Sequence, residues 1–331
     1  MKENEKKLSP EKVREAHLEF DKIRKEISKI IVGQEVVVDT LLRALLADGH
    51  VLVEGIPGIA KTLLIRALSV VTGCEVKRIQ FTVDLLPTDI VGITTYHEKK
   101  GFYTIKGPIF ANFIIADEIN RAPPKTQSAL LEAMEERQTT IGRETFPMMR
   151  PFFVMATQNP IETAGVYPLP EAQIDRFLFW TNMGYPQKDE EEKILKQNIE
   201  LKKFDEFGLK PVITPKRIIE LQNFAKEIYT NKEIEKYIIE IVQATRHPEK
   251  YGIKLGRYIE WGGSPRASIG LYITSKTDAL LKGSNFVTPQ NVKNVAPDVL
   301  RHRILLNYEG EAENIKTDDI ISEILSKVPV P

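Results

Sequence analysis

Cysteine is nearly absent from this sequence: of its 331 residues, only Cys74 carries a thiol. A single cysteine excludes an internal disulfide. Its scarcity is typical of proteins from a reducing compartment, so we expect a cytoplasmic location. Histidine is also scarce, with five residues that show no metal-ligand spacing, and we expect no zinc site.

The sequence also lacks an excess of charge of either sign and any long apolar run. Lysine plus arginine and aspartate plus glutamate both number 46, so the net charge does not indicate nucleic acid or an anionic membrane as a partner. No stretch approaches the roughly 18 apolar residues of a membrane span. The charged opening MKENEKKLSPEKVREAHLEF predicts no signal peptide. The 42% of hydrophobic and 28% of charged residues are typical of a globular protein.

Short apolar segments separated by helical patterns fill residues 30 to 184 and predict a parallel α/β sheet. Each segment is apolar along its length, as expected of strands buried on both faces. The predicted strands are HVLVEG (50–55), CEVKRIQF (74–81), NFIIADE (112–118), PFFVMATQN (151–159) and RFLFWTNM (176–183). The predicted helices of this part cover 8–30, with Leu18, Ile23, Ile27 and Ile31 near helical spacing, and 34–47, 61–72 and 125–137.

Beyond Tyr185-Pro186 the strand pattern stops, and the remaining chain is predicted to be mostly helical. Three of these helices begin with a hydroxyl residue followed by proline, which is a typical helix start. Those hydroxyl residues are Thr214, Ser264 and Thr288. The predicted helices cover 187–204, 215–229, 231–246, 265–282, 289–304 and 317–327.

The octapeptide GIPGIAKT (55–62) lies between a predicted strand and a predicted helix and is one residue away from a phosphate-binding P-loop. Gly55 and Gly58 would allow tight turning and close approach of a phosphate. Lys61 would reach the β- and γ-phosphates, and the Thr62 hydroxyl would hold magnesium. Ala60 replaces the usual glycine; we expect it at the start of the helix with a negative φ and its Cβ turned away from the phosphates. The alternative is a strand–turn–helix corner with a chance lysine.

Two further predicted strands end in polar residues with matching chemistry. The strand predicted within NFIIADEIN ends in Asp117 and Glu118. Asp117 would organise magnesium, and Glu118 would act as the general base that accepts a proton from water. PFFVMATQNP delivers Asn159, which could hold that water. Because ligands of open α/β sheets bind at the carboxyl ends of the strands, these ends should meet at one site. Taken singly, solvent-exposed acids and an Asn-Pro turn remain the alternatives.

Longer segments resemble the MoxR family of AAA+ ATPases. They are the octapeptide itself, IADEINRAPPKTQSALLEAMEE, and ATQNP followed by YPLPEAQIDRF. The similarity extends from IVGQE (31–35) through GGSPRAS (262–268) to APDVLRHRI (296–304). The family carries alanine at the position of Ala60.

The resemblance implies a P-loop AAA+ core with a five-stranded parallel sheet of order 5-1-4-3-2 flanked by helices, over residues 1–185, and a helical lid domain over 186–331. It implies that Asn159 is sensor 1, that Arg176 is the arginine finger reaching a neighbouring subunit, and that Arg266 is sensor 2. From the residues alone, a surface salt bridge for Arg176 and a helix-start arginine for Arg266 remain open. The implied nucleotide-binding residues are Val32, Gly33, Gly55, Ile56, Pro57, Gly58, Ile59, Ala60, Lys61, Thr62 and Leu63.

Two segments read as hairpins and match the inserts of the helix-2-insert group. GITTYHEKKGFYTIKGPIF turns at Lys99-Lys100-Gly101, and TTIGRETFPMM (139–149) turns at Gly142-Arg143. In related rings such hairpins face the pore and move substrates. Simple surface hairpins are the alternative.

The resemblance therefore implies an ATPase that uses ATP and Mg²⁺, forms a ring (we expect a hexamer), and remodels or matures protein complexes. A von Willebrand factor A domain partner would be a separate chain. The alternatives are a nucleic-acid-associated motor, which zero net charge and few basic–aromatic clusters argue against, and a nucleotide-binding scaffold without hydrolysis. A P-loop small-molecule kinase is a further alternative, although no segment resembles an acceptor site.

Overall fold

The computed structural model describes residues 8–56, 58–99, 101–159, 165–198 and 203–331. These residues form two compact units. The first, named here the sheet unit, comprises Asp21–Phe177 and Thr181–Ile219. The second, the helical unit, comprises the described residues up to Phe20 together with Leu178–Trp180 and Glu220–Pro331. The predicted division into a core over 1–185 and a lid over 186–331 stays a prediction.

The strands are β1 (Val51–Gly55), β2 (Val76–Gln80), β3 (Gly92–His97), β4 (Gly101–Lys106), β5 (Phe113–Asp117), β6 (Gln138–Ile141), β7 (Glu144–Pro147), β8 (Phe153–Gln158), β9 (Phe179–Met183), β10 (Ile259–Trp261) and β11 (Leu305–Leu306). The α-helices are α1 (Pro10–Ile27), α2 (Glu35–Leu46), α3 (Lys61–Thr72), α4 (Pro87–Val91), α5 (Pro124–Glu136), α6 (Glu171–Ile174), α7 (Lys188–Asn198), α8 (Pro215–Glu227), α9 (Lys232–Arg246), α10 (Pro265–Leu281), α11 (Pro289–Leu300), α12 (Tyr308–Ala312) and α13 (Thr317–Lys327). Short 3₁₀ helices cover Ile119–Arg121, Phe204–Phe207, Pro248–Tyr251 and Lys254–Tyr258.

The main sheet has five strands in the order β2-β5-β8-β1-β9. Numbered among themselves along the chain, these strands read 2-3-4-1-5, which is the predicted order 5-1-4-3-2 read from the other side. The predicted α/β fold is therefore confirmed. Parallel pairing brings Gln80 opposite Asp117, Ala116 opposite Ala156, and Val53 opposite Thr157. This register places the carboxyl ends of β2, β5, β8 and β1 side by side.

The expectation that every strand is buried on both faces is wrong for β2. Strands β5 and β8 lie inside the sheet and are buried almost throughout. Strand β2 lies at the sheet edge, and only Ile79 of its five residues is buried. An edge strand has one neighbour instead of two, so its charged residues Lys77 and Arg78 can remain partly exposed.

Both predicted hairpins are present as antiparallel pairs. Strands β3 and β4 pair from Gly92 opposite Lys106 to His97 opposite Gly101, and Lys100 lies outside the described residues. Strands β6 and β7 pair with Ile141 opposite Glu144, so the turn falls at the predicted Gly142-Arg143.

The helical unit contains two of the three predicted helix starts, confirms both, and adds a short strand pair. Ser264 accepts a hydrogen bond from the Arg266 N–H at 3.1 Å, and Thr288 accepts one from Asn291 at 3.4 Å. Strands β10 and β11 pair antiparallel, and their two or three residues carry too little periodicity to predict from sequence. The predicted helix 289–304 ends at Leu300.

One buried carboxylate of the helical unit, that of Asp278, is surrounded by hydrogen-bond donors. The Asp278 carboxylate is fully buried in α10 and accepts bonds from the side-chain amides of Asn291 and Asn294, each at 2.9 Å. Lys282 lies 3.2 Å from the same carboxylate. Helices α10 and α11 are therefore joined by a buried charge with several donors, which is how a buried carboxylate is tolerated.

One residue of the predicted apolar face of α1 points to solvent. Leu18 is 52% exposed, whereas Phe20, Ile23 and Ile27 are buried. Positions 20, 23 and 27 follow the helical repeat, and position 18 lies about 160° away from position 20 in a 3.6-residue helix. The predicted helix is confirmed, but its buried face does not include Leu18.

Candidate functional site

The loop between β1 and α3 has the backbone shape of an anion-binding loop. Gly58 has φ +84° and Ala60 has φ +67°, both in the left-handed region. Such alternation of handedness turns successive backbone N–H groups towards one concave side. Helix α3 begins at Lys61, so its positive dipole end faces the same side. Pro57 lies outside the described residues.

The expected negative φ of Ala60 is wrong. Its φ of +67° and ψ of 25° make it a left-handed residue that precedes the helix. For an L-residue this conformation costs about 1 kcal/mol, since Cβ crowds the following carbonyl oxygen. The turn of the loop requires the conformation whichever residue stands there, so the loop overrides the preference of alanine. That the methyl group faces away from the phosphates stays a prediction.

Gly55 is required by the neighbouring strand. A Cβ on Gly55 would lie 2.7 Å from the backbone oxygen of Met183 in β9 and 2.6 Å from the Ile59 side chain. By contrast, a Cβ on Gly58 would meet nothing within 4 Å, so Gly58 is needed for its positive φ alone. The two glycines of the loop therefore serve different physical purposes.

Two side chains at the start of α3 reach across the carboxyl ends of the strands. The Lys61 ammonium donates to the backbone oxygen of Gly55 and is thereby folded over the loop. The Thr62 hydroxyl donates to Oδ2 of Asp117 at 3.3 Å, across 55 residues of sequence. The predicted pairing of the loop with the acidic strand end is therefore present in the fold.

Asp117 is the centre of a group of polar side chains. Its carboxylate is buried, with 6% of the residue exposed. Oδ1 accepts from the Thr157 hydroxyl at 3.1 Å, and Oδ2 accepts from Nε of Arg78 at 2.7 Å as well as from Thr62. These donors balance the cost of burying a charge. They come from α3, β8 and β2, so the carboxylate joins three elements.

Glu118 follows directly and has a left-handed backbone with φ +55°. Its N–H donates to the Thr157 hydroxyl at 3.0 Å, which fixes the turn out of β5. Its Oε2 accepts from the Gln80 amide at 2.8 Å and lies 3.2 Å from the Arg121 guanidinium. Its side chain is 28% exposed, so water can reach the carboxylate.

A cavity of about 560 Å³ in the sheet unit lies beside the loop. The predicted residues Val32, Ile59 and Leu63 line it, together with Gly58 and Ala60. Most of its other lining residues are apolar: Ile30, Ile31, Met183, Pro186, Ile194, Leu195, Phe204 and Phe207. An apolar cavity next to an anion-binding loop suits a ligand with a flat ring at one end and phosphates at the other.

The roles predicted for Asn159, Arg176 and Arg266 stay predictions, because the positions of these residues do not test them. Asn159 is buried just after β8, with 6% exposed. Arg176 follows α6 and forms an ion pair with Glu135 of α5 at 3.1 Å, which is the salt bridge that the residues alone had left open. Arg266 lies in the first turn of α10 in the helical unit.

Arg78 and Gln80 contact the predicted site residues, although the sequence reading had not selected them. Both lie on β2 two residues apart, so they share one face of the strand. Gln80 stands directly opposite Asp117 in the register. The sequence pattern that could have indicated them is a pair of polar residues at alternate positions near the carboxyl end of β2. This pattern points to the site only once β2 is known to lie beside β5.

The donor set at the strand ends fits magnesium and a phosphate chain. Thr62 and Asp117 offer a hydroxyl and a carboxylate oxygen, which are hard ligands that Mg²⁺ prefers. Magnesium commonly takes one or two protein ligands and completes its shell with water and substrate phosphates. Lys61 and the N–H groups of the loop would hold the phosphates themselves.

Comparison with known proteins supports these features. The family model described as "ATPase family associated with various cellular activities (AAA)" matches residues 50–179, and the model "AAA lid domain" matches residues 256–324. Chaperone MoxR1 of Mycobacterium tuberculosis is 46% identical over 92% of this chain and 81% of its own length. Protein MoxR of Methylorubrum extorquens is 30% identical over 94% of each chain. A crystal structure of a candidate ATPase from Cytophaga hutchinsonii has 43% identity and a TM-score of 0.90, covering 97% of both chains.

Within the described ranges, no helix has the length and apolar character needed to cross a membrane. The matched models cover the loop, the acidic strand end and part of the helical unit in the order seen here. With relatives of this identity over nearly the whole chain, the resemblance noted in the sequence is confirmed: the chain belongs to the MoxR family of AAA+ ATPases.

Proposed function

We propose that the protein hydrolyses ATP with Mg²⁺ to ADP and phosphate, and uses the reaction to remodel or mature protein complexes. The observation that carries the proposal is the hydrogen bond between Thr62 and Asp117, with Glu118 next to it. This contact places a hydroxyl, a carboxylate and a second carboxylate around the helix start at which phosphates bind. Family membership adds the expectation of nucleotide binding.

Each residue of this group has a chemical task. Lys61 and the N–H groups of the loop would hold the β- and γ-phosphates, and Thr62 and Asp117 would hold Mg²⁺ and its waters. When bound there, Mg²⁺ would neutralise charge on the phosphates. Glu118 would accept a proton from the attacking water, which its partial exposure allows. Asn159 would orient that water.

The nucleotide-binding set is proposed as Val32, Gly33 and residues 55–63. Val32 and Leu63 line the cavity beside the loop, where the base would lie. Gly33 has φ +70°, a left-handed conformation that favours glycine, whereas an added Cβ would meet only the flexible carboxyl group of Glu190. Arg266 is proposed as sensor 2.

Arg176 is proposed to act on the nucleotide of a neighbouring subunit in a ring, with a hexamer as the expected size. The Arg176 side chain is 36% exposed and pairs with Glu135, whose side chain is 34% exposed. Such a pair is worth little in water and can be exchanged for a phosphate. A guanidinium suits this task because its fork matches phosphate oxygens.

The proposed clients are proteins. The relative from Mycobacterium tuberculosis is named a chaperone, and a partner with a von Willebrand factor A domain on a separate chain remains part of the proposal. Hairpin β3–β4 exposes apolar side chains, with Phe102 78% and Tyr96 62% exposed, and is the proposed contact to a client. The single cysteine supports a cytoplasmic location.

The substitution Glu118→Gln tests the proposal. We expect it to retain nucleotide binding and to lower turnover by about 10²–10⁴-fold, which is the usual contribution of a general base. Glu132→Gln is the control, since Glu132 is an exposed carboxylate on α5. Phosphate release measures turnover, and fluorescent nucleotide measures binding. Turnover of Glu118→Gln at the wild-type rate would contradict the assignment.

Mixing variants tests the action of Arg176 between subunits. Arg176→Ala and Glu118→Gln should each have strongly reduced turnover alone. A mixture should recover part of the hydrolysis, because an intact Glu118 then meets an intact Arg176 from its neighbour. No recovery at any ratio would favour a role for Arg176 within its own subunit. Affinity capture with ATP-bound Glu118→Gln would then identify the client.

A further inference from the structure

Arg78 binds the same carboxylate oxygen of Asp117 as Thr62, the other proposed magnesium ligand. Its Nε donates to Oδ2 of Asp117 at 2.7 Å, which is shorter than the bonds from Thr62 at 3.3 Å and from Thr157 at 3.1 Å. Arg78 and Asp117 are 39 residues apart in sequence and meet because β2 and β5 are neighbours. The arginine therefore lies where a divalent cation or its water would contact the carboxylate.

The acceptor sites of Asp117 are nearly filled. An ionised carboxylate offers about four lone-pair sites, two on each oxygen. Thr157 occupies one site on Oδ1, while Thr62 and Arg78 occupy both sites on Oδ2. One site on Oδ1 stays open, whereas a magnesium ion or one of its waters can use Oδ2, the oxygen shared with Thr62, only after one of these two donors has left.

Thr62 can stay when the cation arrives. A hydroxyl donates its proton to Asp117 while its own oxygen lone pairs remain free to bind a cation. Arg78 cannot do the same, because a guanidinium has no acceptor and carries a positive charge that repels a divalent cation at close range. Of the two donors on Oδ2, Arg78 is therefore the one that a cation would displace.

The solvent exposure of the two side chains also indicates that Arg78, and not Asp117, is the group that moves. The Arg78 side chain is 56% exposed, whereas that of Asp117 is 9% exposed. Water can solvate the guanidinium once it leaves, while the carboxylate remains buried and requires a cation or donors. Arg78 is thus a mobile cation held by a fixed anion.

We propose that Arg78 is an internal counter-cation that competes with magnesium for Asp117 and thereby sets how strongly nucleotide binding depends on Mg²⁺. The inference rests on the proposed nucleotide function of the site. Arg78 also donates to Oε1 of Gln80 at 3.0 Å, and the amide of Gln80 holds Glu118. Displacement of Arg78 therefore removes one of the restraints on Gln80, next to the proposed base.

The test compares binding of fluorescently labelled ADP in excess Mg²⁺ and in EDTA, for the full chain. The measured quantity is the factor by which Mg²⁺ lowers Kd. Arg78→Ala should raise this factor about two- to fivefold, which is the range for loss of a partly exposed ion pair. Arg78→Gln should do the same, since it keeps a long side chain and removes the charge.

Lys77→Ala is the matched control. It removes a cation from the neighbouring position of the same strand, but Lys77 pairs with Glu75 at 3.1 Å and not with Asp117. Its Mg²⁺ factor should equal that of the wild type. Thermal unfolding of all variants in EDTA confirms that each one is folded before binding is compared.

The outcomes separate this inference from the proposed function. An unchanged or smaller Mg²⁺ factor in both Arg78 variants would overturn the inference, since Arg78 would then support the metal-bound state. If the wild type binds labelled ADP without any Mg²⁺ dependence, the magnesium assignment of Thr62 and Asp117 fails first, and the inference falls with it. A larger factor in the Arg78 variants alone supports both.

Discussion

The two ends of the parallel strands both carry buried polar side chains, but the partners of these side chains differ. At the amino ends, His50 accepts a bond from the Val154 N–H at 3.0 Å and contacts the Met134 oxygen at 3.3 Å. Asn112 similarly bonds the backbone of Glu75 and of Pro151. At the carboxyl ends, Asp117 bonds the side chains of Thr62, Thr157 and Arg78.

This difference separates groups that stabilise the sheet from groups that can exchange partners. His50 and Asn112 are buried and satisfy backbone groups of neighbouring packed segments, so they hold these segments together. Side-chain partners can rotate away and leave their acceptor to a ligand. The amino ends should therefore govern stability, and the carboxyl ends should govern binding.

Lys61→Ala should give the largest effect and act on binding alone. The variant loses charge-assisted hydrogen bonds to phosphate worth about 1.5–3 kcal/mol each, which corresponds to at least about a tenfold rise in Kd. The urea-unfolding free energy of the nucleotide-free protein should stay within about 0.5 kcal/mol of the wild type, as for most substitutions outside the core. Binding of labelled nucleotide measures Kd, and urea titration measures the unfolding free energy.

Lys125→Ala, an exposed lysine in the first turn of α5, is the control for lost charge. Unchanged nucleotide affinity in Lys61→Ala would refute the assignment of the loop. A large loss of stability would instead show that the carboxyl ends also hold the fold together, and the comparison would fail.

Asn112→Ala should show the opposite behaviour. It leaves the Glu75 N–H and the Pro151 oxygen without their side-chain partner, at a cost of about 2 kcal/mol in unfolding free energy. Nucleotide affinity of the folded protein should not change. The exposed Asn182 provides the control substitution Asn182→Ala. A change in affinity without a change in stability would contradict the proposed separation.

The smallest expected effect is a dependence of stability on pH at the amino ends. Burial, and next the nearby Arg137 charge, lower the pKa of His50 well below its ordinary value of 6.5. The unfolded chain therefore takes up a proton near pH 6.5 that the folded protein refuses. Stability falls as pH decreases below about 6.5, by up to about 1.4 kcal/mol per unit until the folded pKa is reached.

Urea titrations at pH 7.5 and 5.5 measure this loss. His50→Gln should reduce it, because the substituted side chain does not titrate, and His97→Gln in the exposed hairpin should leave it unchanged. Equal pH dependence in wild type and His50→Gln would show that His50 does not carry the effect. The carboxyl-end network is intact in all three proteins, so binding at pH 7.5 should be alike.

The sequence predicted most of this architecture because its signals are local. The strands β5 and β8 are apolar along their length, and the caps Ser264 and Thr288 precede proline. Two expectations were wrong because burial depends on neighbouring elements. Strand β2 was expected to be buried on both faces but lies at the edge of the sheet. Leu18 is apolar but does not lie on the buried face of α1. Burial depends on neighbours, and a single segment does not specify them.

In the candidate site, too, local patterns could be predicted and features set by neighbouring elements could not. GIPGIAKT and the acidic strand end were recognisable as separate segments, and their order indicated one nucleotide site. The left-handed backbone of Ala60 could not be predicted from an alanine, because the closure of the loop onto α3 imposes it.

The sequence by itself determined the segments and the chemistry at their ends: the loop lysine, the paired acids and the family they indicate. Only the tertiary structure decided which groups meet. The contact of Arg78 with Asp117 exists because β2 lies beside β5 in one register, with Gln80 opposite Asp117. Strand order and register are set by packing of the whole sheet, and a shift of one residue would turn Arg78 to the other face.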